Sequence, residues 1–285
     1  SVAAQVLIPL ATMTVEPEKT GEIVGFLMSG LLVGILLSTS LAGLFSNLFH
    51  WKVIYVISGV LMLILAYALK SRLPYVMRMK MNYGQIFVSM AELLKQEKRL
   101  LLRALTGGFA FAAVSILYST IALLLTAAHH LPDLVIGMVS LVGIFGALST
   151  QYIGRYADQG YTKQLTWMGC GLFILSWICF YYGQTFLFSY IFGFALIQLA
   201  LALVHTSNQS IIFRLRPDAK SRINAIYMTA YFTGGACGSA LGIFSWNHGG
   251  WTMTCLAGIS LVFACIFFSV LDNFLLKKNT VTDGY

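Results

Sequence analysis

The chain is a succession of apolar runs, most of them long enough to cross a bilayer, separated by short polar turns. A hydrocarbon core of ~30 Å takes about 20 residues of helix. Eight runs meet that length, at 22–49, 51–69, 100–127, 134–153, 164–182, 185–213, 223–246 and 251–272. A ninth, 1–13, is too short and reads as the end of a helix whose beginning is missing, not as a signal peptide. Backbone amides in lipid must be satisfied internally, so such runs become helices or close into barrels. These runs are continuous rather than alternating, which excludes a β-barrel. Only 10% of the residues are charged, against roughly 25% in a soluble domain. The expected fold is all-α and membrane-embedded, with eight full transmembrane helices and one partial helix.

The net charge of +8 then needs a topological account. Basic residues are densest between Lys70 and Arg103, where eight Lys and Arg face only Glu92 and Glu97. Successive turns between helices must alternate sides. With the spans above, 17 of the 18 Lys and Arg fall on one side and Lys52 alone on the other. Basic residues stay in the cytoplasm, which places the 71–99 connector and the C-terminal tail there. A basic stretch can also be a nucleic-acid-binding arm. Here no soluble domain exists to carry one, so no nucleic-acid partner is expected.

A shift of 200 residues aligns the chain with itself. Pro17 meets Pro217, Ile23 meets Ile223, Met28 meets Met228, Gly34 meets Gly234, Asn47 meets Asn247 and Trp51 meets Trp251. Parallel halves of this kind are a transporter signature. The helix opening the second half starts near Leu100, so its counterpart falls about a hundred residues before Ser1, roughly three and a half spans. The expected organisation is 1–70 as the remainder of a first six-helix bundle (part of helix 4, then helices 5 and 6). The basic connector 71–99 follows, and then a second six-helix bundle with a short tail, 100–285.

Three groups of residues carry chemistry. Gly154-Arg155-Tyr-Ala-Asp158-Gln-Gly160 forms a turn on the cytoplasmic side. A carboxylate at Asp158 can accept from helix N-terminal amides, Arg155 can pair across a gap, and Gly154 and Gly160 permit a tight turn. Such contacts would latch one conformation. Small residues recur every fourth position at Gly30 and Gly34, and again at Gly234, Gly238 and Gly242, which allows close helix packing in lipid. Polar residues inside spans, Gln5, Ser115, Tyr118, His205, Asn208 and Gln209, must face protein or a water-filled cavity, and they are candidates for a substrate path. No Asp or Glu occupies the middle of a span. His205 is therefore the titratable group deepest in a span, while Arg103 and Asp272 are expected to reach the interface from helix ends.

The loop Gly154–Gly160 resembles the Gly-x-x-x-Asp-Arg-x-Gly loop of the major facilitator superfamily, with Gln159 where Arg is usual and Gly160 one place early. Ala4-Gln-Val-Leu-Ile-Pro-Leu10, Met28-Ser-Gly-Leu-Leu-Val-Gly34, His205-Thr-Ser-Asn-Gln209 and Tyr231-Phe-Thr-Gly-Gly235 are similar to bacterial drug–proton antiporters and sugar-efflux permeases of that superfamily. Relatives often carry Arg where Thr39 follows Ser38 here. The resemblance implies a monomeric, multi-pass transporter of the bacterial inner membrane. It would export a small organic solute in exchange for protons by alternating access between two bundles. The alternative is a transport-inactive relic or a membrane interaction protein. No enzyme is expected. A phosphate-cradling Gly-x-x-x-x-Gly-Lys-Ser/Thr is absent. His129, His130 and Asp133 read as a solvated turn rather than a metal site. The five cysteines lie in spans without a CxxC spacing. No cofactor or metal is expected.

Overall fold

The computed structural model describes residues 2–13, 15–16, 19–48, 52–72 and 83–282. All the regular structure in them is helical: α1 (Val2–Met13), α2 (Thr20–Leu48), α3 (Lys52–Arg72), α4 (Tyr83–Gln96), α5 (Lys98–His129), α6 (Asp133–Leu141), α7 (Ile144–Leu148), α8 (Thr150–Tyr156), α9 (Thr162–Gly183), α10 (Leu187–Leu215) and α11 (Lys220–Thr282). A π-helical turn, Ala157–Tyr161, joins α8 to α9, and a 3₁₀ turn, Pro217–Ala219, precedes α11.

Five stretches among the described residues are long and apolar enough to cross a membrane. Two of them, Val135–Gly183 and Pro217–Leu276, each hold two of the expected spans. At 1.5 Å per residue either stretch would run to ~70–90 Å if straight, far beyond a ~30 Å core. Both fold back. Helix α11 breaks at Gly249 and Gly250, the latter at φ 60°, a left-handed conformation that costs glycine nothing. Before the break, the glycines at 234 and 238 lie against Gly108 and Ala112, so this arm runs parallel to α5. After it, Phe268 stacks on Phe109 and Asp272 pairs with Arg103, so the second arm runs antiparallel. In the other stretch the chain turns at Gly160, φ 95°.

The expected span at 134–153 is not one continuous helix. It is divided into α6, α7 and α8 by turns at Val142–Gly143 and Ser149. Gly143 and Gly146 abut Gln198 and Leu199 of α10, where a Cβ would collide, so the chain bends to follow α10 at close range. The connector 71–99 contains a helix of its own. Residues 73–82 lie outside the described residues, and after them comes α4, with Ile86, Met90, Leu93 and Leu94 at amphipathic spacing.

The glycine stripe at 234, 238 and 242 makes its seam with α5, inside the 100–285 segment. A Cβ at 234 would fall on the Gly108 backbone, whereas a Cβ at Gly30 or Gly34 would have nothing within 4 Å. Gly234→Leu should therefore destabilise the purified chain by about 1–3 kcal/mol, the usual cost of overpacking. Gly34→Leu should not lower its thermal unfolding midpoint in detergent. Equal midpoints for the two variants would count against this packing account.

Candidate transport site

The loop predicted to act as a latch lies against the other segment. Asp158 sits at the α8–α9 turn and accepts from the amides of Gly21 (2.8 Å) and Glu22 (2.9 Å), in the first turn of α2. These amides have no intrahelical acceptor, and the positive end of the helix dipole favours a carboxylate there. Arg214, at the end of α10, pairs with the same carboxylate. Arg155 donates through Nε and Nη2 to Glu22 at 3.0 and 2.8 Å. Burial raises the Asp158 carboxyl above its ordinary value, opposed by the Glu22 and Gly21 amides and by Arg214, which pull it down. Gly160 supplies the positive φ of the turn. Gly154 does something else: it lies inside α8, and its missing Cβ lets the Gly21 backbone approach. A second tie between segments joins Lys220 Nζ to the carbonyl of Thr12 (2.9 Å).

The polar residues within spans separate into two environments. In the first, Tyr118 on α5 accepts from Gln198 Nε2 (2.7 Å) on α10. On the same face of α10, two turns further on, the His205 Nδ1 and the Tyr227 hydroxyl are hydrogen-bonded at 3.0 Å. The Tyr231 ring lies 4.6 Å from His205 and 4.1 Å from Phe111, on which it stacks. Gln198 Oε1 is buried without a hydrogen-bond partner, and His205 is nine-tenths buried. Together these residues gather several rings around one amide and one imidazole. Ser115 is buried beside it on α5, where its carbonyl accepts from Ser239 (3.5 Å). The sequence reading omitted Gln198, Tyr227 and Tyr231 from its site. Gln198 is a polar residue inside an apolar span, seven positions from His205 on one helix face, a signal open to sequence, whereas Tyr227 and Tyr231 carry none of that kind.

In the second environment Asn208 and Gln209 are fully buried and have partners of their own. Gln209 donates to Met228 Sδ (3.9 Å). Asn208 Oδ1 accepts from Arg103 Nη1 (3.1 Å). Arg103 also donates to Thr166 (3.3 Å) and, through Nε, to Asp272 Oδ2 (2.9 Å), while Arg99 Nε donates to Asp272 Oδ1 (3.1 Å). Arg103 is 2% exposed and Asp272 is fully buried. The expectation that these two reach the interface from helix ends is therefore corrected. Each satisfies the other inside the bundle, which removes the drive to extend toward water. One guanidinium thus ties α5, α9, α10 and the second arm of α11.

Gln5 lies on α1, and its side chain falls outside the described residues. No group of three or more His, Cys, Asp or Glu among the described residues could hold a metal.

Comparison with known proteins gives one answer. The sequence pattern of the Major Facilitator Superfamily matches residues 1–239. The "Uncharacterized transporter YgaY" of Escherichia coli O157:H7 is 41% identical over 263 residues, covering 92% of this chain and 67% of the relative. "Probable transporter SCO4007" of Streptomyces coelicolor is 26% identical over 268 residues, covering 92% and 62%. The chain thus spans about two thirds of the length of these relatives. A match over most of the chain, with helices that fold back between short turns, establishes that the chain belongs to the major facilitator superfamily of membrane transporters.

Proposed function

We propose that this protein works as a secondary active transporter that exports a small organic solute in exchange for protons, by alternating access between two bundles. The observation that carries this reading is the cross-segment contact of Asp158 with the first amides of α2. It is made of a few charge-assisted bonds at a part-buried helix end, so it can break when one bundle rocks against the other. In this reading the chain has eight full spans and one partial span in the bacterial inner membrane. The connector, the 154–160 loop and the C-terminus are cytoplasmic, as the charge asymmetry supports. Both ties between segments then close the cytoplasmic side.

The solute path runs past Ser115, Tyr118, Gln198 and His205. Rings provide stacking faces, and Gln198 Oε1 supplies an acceptor for a donor on the solute. His205 is the residue assigned to proton coupling, because it is the titratable group deepest in a span and its imidazole is hydrogen-bonded to the neutral Tyr227 and packed on the Tyr231 ring. Proteoliposomes loaded with a pH-sensitive dye test this. Addition of a transported solute should move protons across the membrane, and His205→Gln should abolish that movement while leaving solute binding in place. Gln198→Leu should instead weaken binding roughly tenfold, the worth of one hydrogen bond. Unchanged proton flux in His205→Gln would remove the coupling assignment.

A further inference from the structure

A cleft of about 510 Å³ lies between α5 and α11, on faces other than those that carry Tyr118, Tyr227 and Tyr231. Its walls include Leu105 and Phe109 of α5, Thr233 and Cys237 of the first arm of α11, and Leu261 of the second. Met90 and Leu94 of α4 close one end. The lining on α5 runs from Leu101 to Ala112, a rise of about 16 Å, or half of a ~30 Å hydrocarbon core. The cleft therefore has the depth of one leaflet.

The internal repeat indicates what the cleft faces. On α2, Gly21 and Gly25 pack against Gly154 and Thr150 of the other segment. Their counterparts 200 positions on are Ser221 and Ala225. The cleft residues of α11 centre roughly 150° around the helix from that pair, at 3.6 residues per turn. By this symmetry the cleft points away from the other bundle, toward lipid.

Charge selects the headgroup. Lys95 lies in the last turn of α4 and Lys98 begins α5, both exposed and neither in an ion pair among the described residues. Arg99 is held by Asp272 and Glu97 by Arg216, which leaves Glu92 as the one exposed acid on α4. On α4, Phe87 and Val88 are also exposed, as on a helix lying in a bilayer surface.

We propose that this cleft is a binding site for one anionic phospholipid. An acyl chain lies between α5 and α11, and the headgroup sits on Lys95 and Lys98. Its placement in the inner leaflet rests on the cytoplasmic orientation proposed above, but binding itself does not depend on transport.

Native mass spectrometry of the purified full chain, exposed to equimolar dioleoylphosphatidylglycerol and dioleoylphosphatidylethanolamine, tests this. The expected result is one bound phosphatidylglycerol per chain, preferred about thirtyfold, the ratio for two lysines near an anionic headgroup. Lys95→Gln combined with Lys98→Gln should bring that preference close to parity with lipid still bound. Cys237→Trp, which fills the cleft, should remove both lipids. Thr233→Phe fills the same space if the tryptophan variant does not fold. Equal retention of the two lipids by the unaltered chain, or full phosphatidylglycerol binding by a folded cleft-filled variant, would overturn the proposal.

Discussion

Arg103→Met should cost about 3–5 kcal/mol of stability, the usual penalty for leaving one member of a buried ion pair behind. The loss is large because Asp272 is fully buried and would keep only Arg99 as a charged partner. Asp272→Leu should cost at least as much. Arg99 is a quarter exposed and can turn to water, whereas Arg103 would keep only Asn208 and Thr166 for a buried charge. The double variant Arg103→Met, Asp272→Leu should recover most of the loss, because well-packed apolar residues often replace a buried pair at no net cost. Unfolding of the four proteins in detergent gives the coupling energy directly. Additive losses would show that the two residues act independently and would remove the four-helix tie.

The sequence made the general architecture legible because the physics involved is local. A run such as 185–213 is helical by length and composition alone, without any tertiary knowledge. Asp158 was legible for a similar reason: a carboxylate in a turn between helices tends to meet a helix N-terminus. Which helix it meets was not legible, because Gly21 lies 137 positions away. The same holds for Arg103 and Asp272, 169 positions apart. Each alone reads as a charge near a helix end, and only the fold makes them partners. Helix α4 was hidden for another reason. Its apolar spacing is confined to 14 residues inside a basic stretch, where charge dominated the reading. Asn208 and Gln209 were read by helix face alone. The hydrogen-bond partners of these two side chains, Arg103 and Met228, lie on other helices and come only with the fold.

Asp158→Asn should open the contact between segments without unfolding either one. Asparagine keeps an oxygen that can accept from Gly21 or Glu22, but it loses the charge that favours the helix N-terminus and holds Arg214. Hydrogen bonds to charged groups contribute about 1.5–3 kcal/mol each, so the contact should open roughly ten- to a hundredfold more often. Hydrogen exchange reads this at the two donors themselves. The Gly21 and Glu22 amides should lose that factor in protection, while α9 and α10 exchange as before. Glu22→Gln, which removes only the partner of Arg155 at an exposed pair, should change protection far less, because surface pairs contribute ~0–1 kcal/mol. If the latch sets the balance between the two conformations, transport by Asp158→Asn should fall by a comparable factor at an unchanged membrane level. Full transport with lost protection would leave Asp158 as a packing contact with no part in the cycle. Full protection in Asp158→Asn would show that the carboxylate does not hold the segments together.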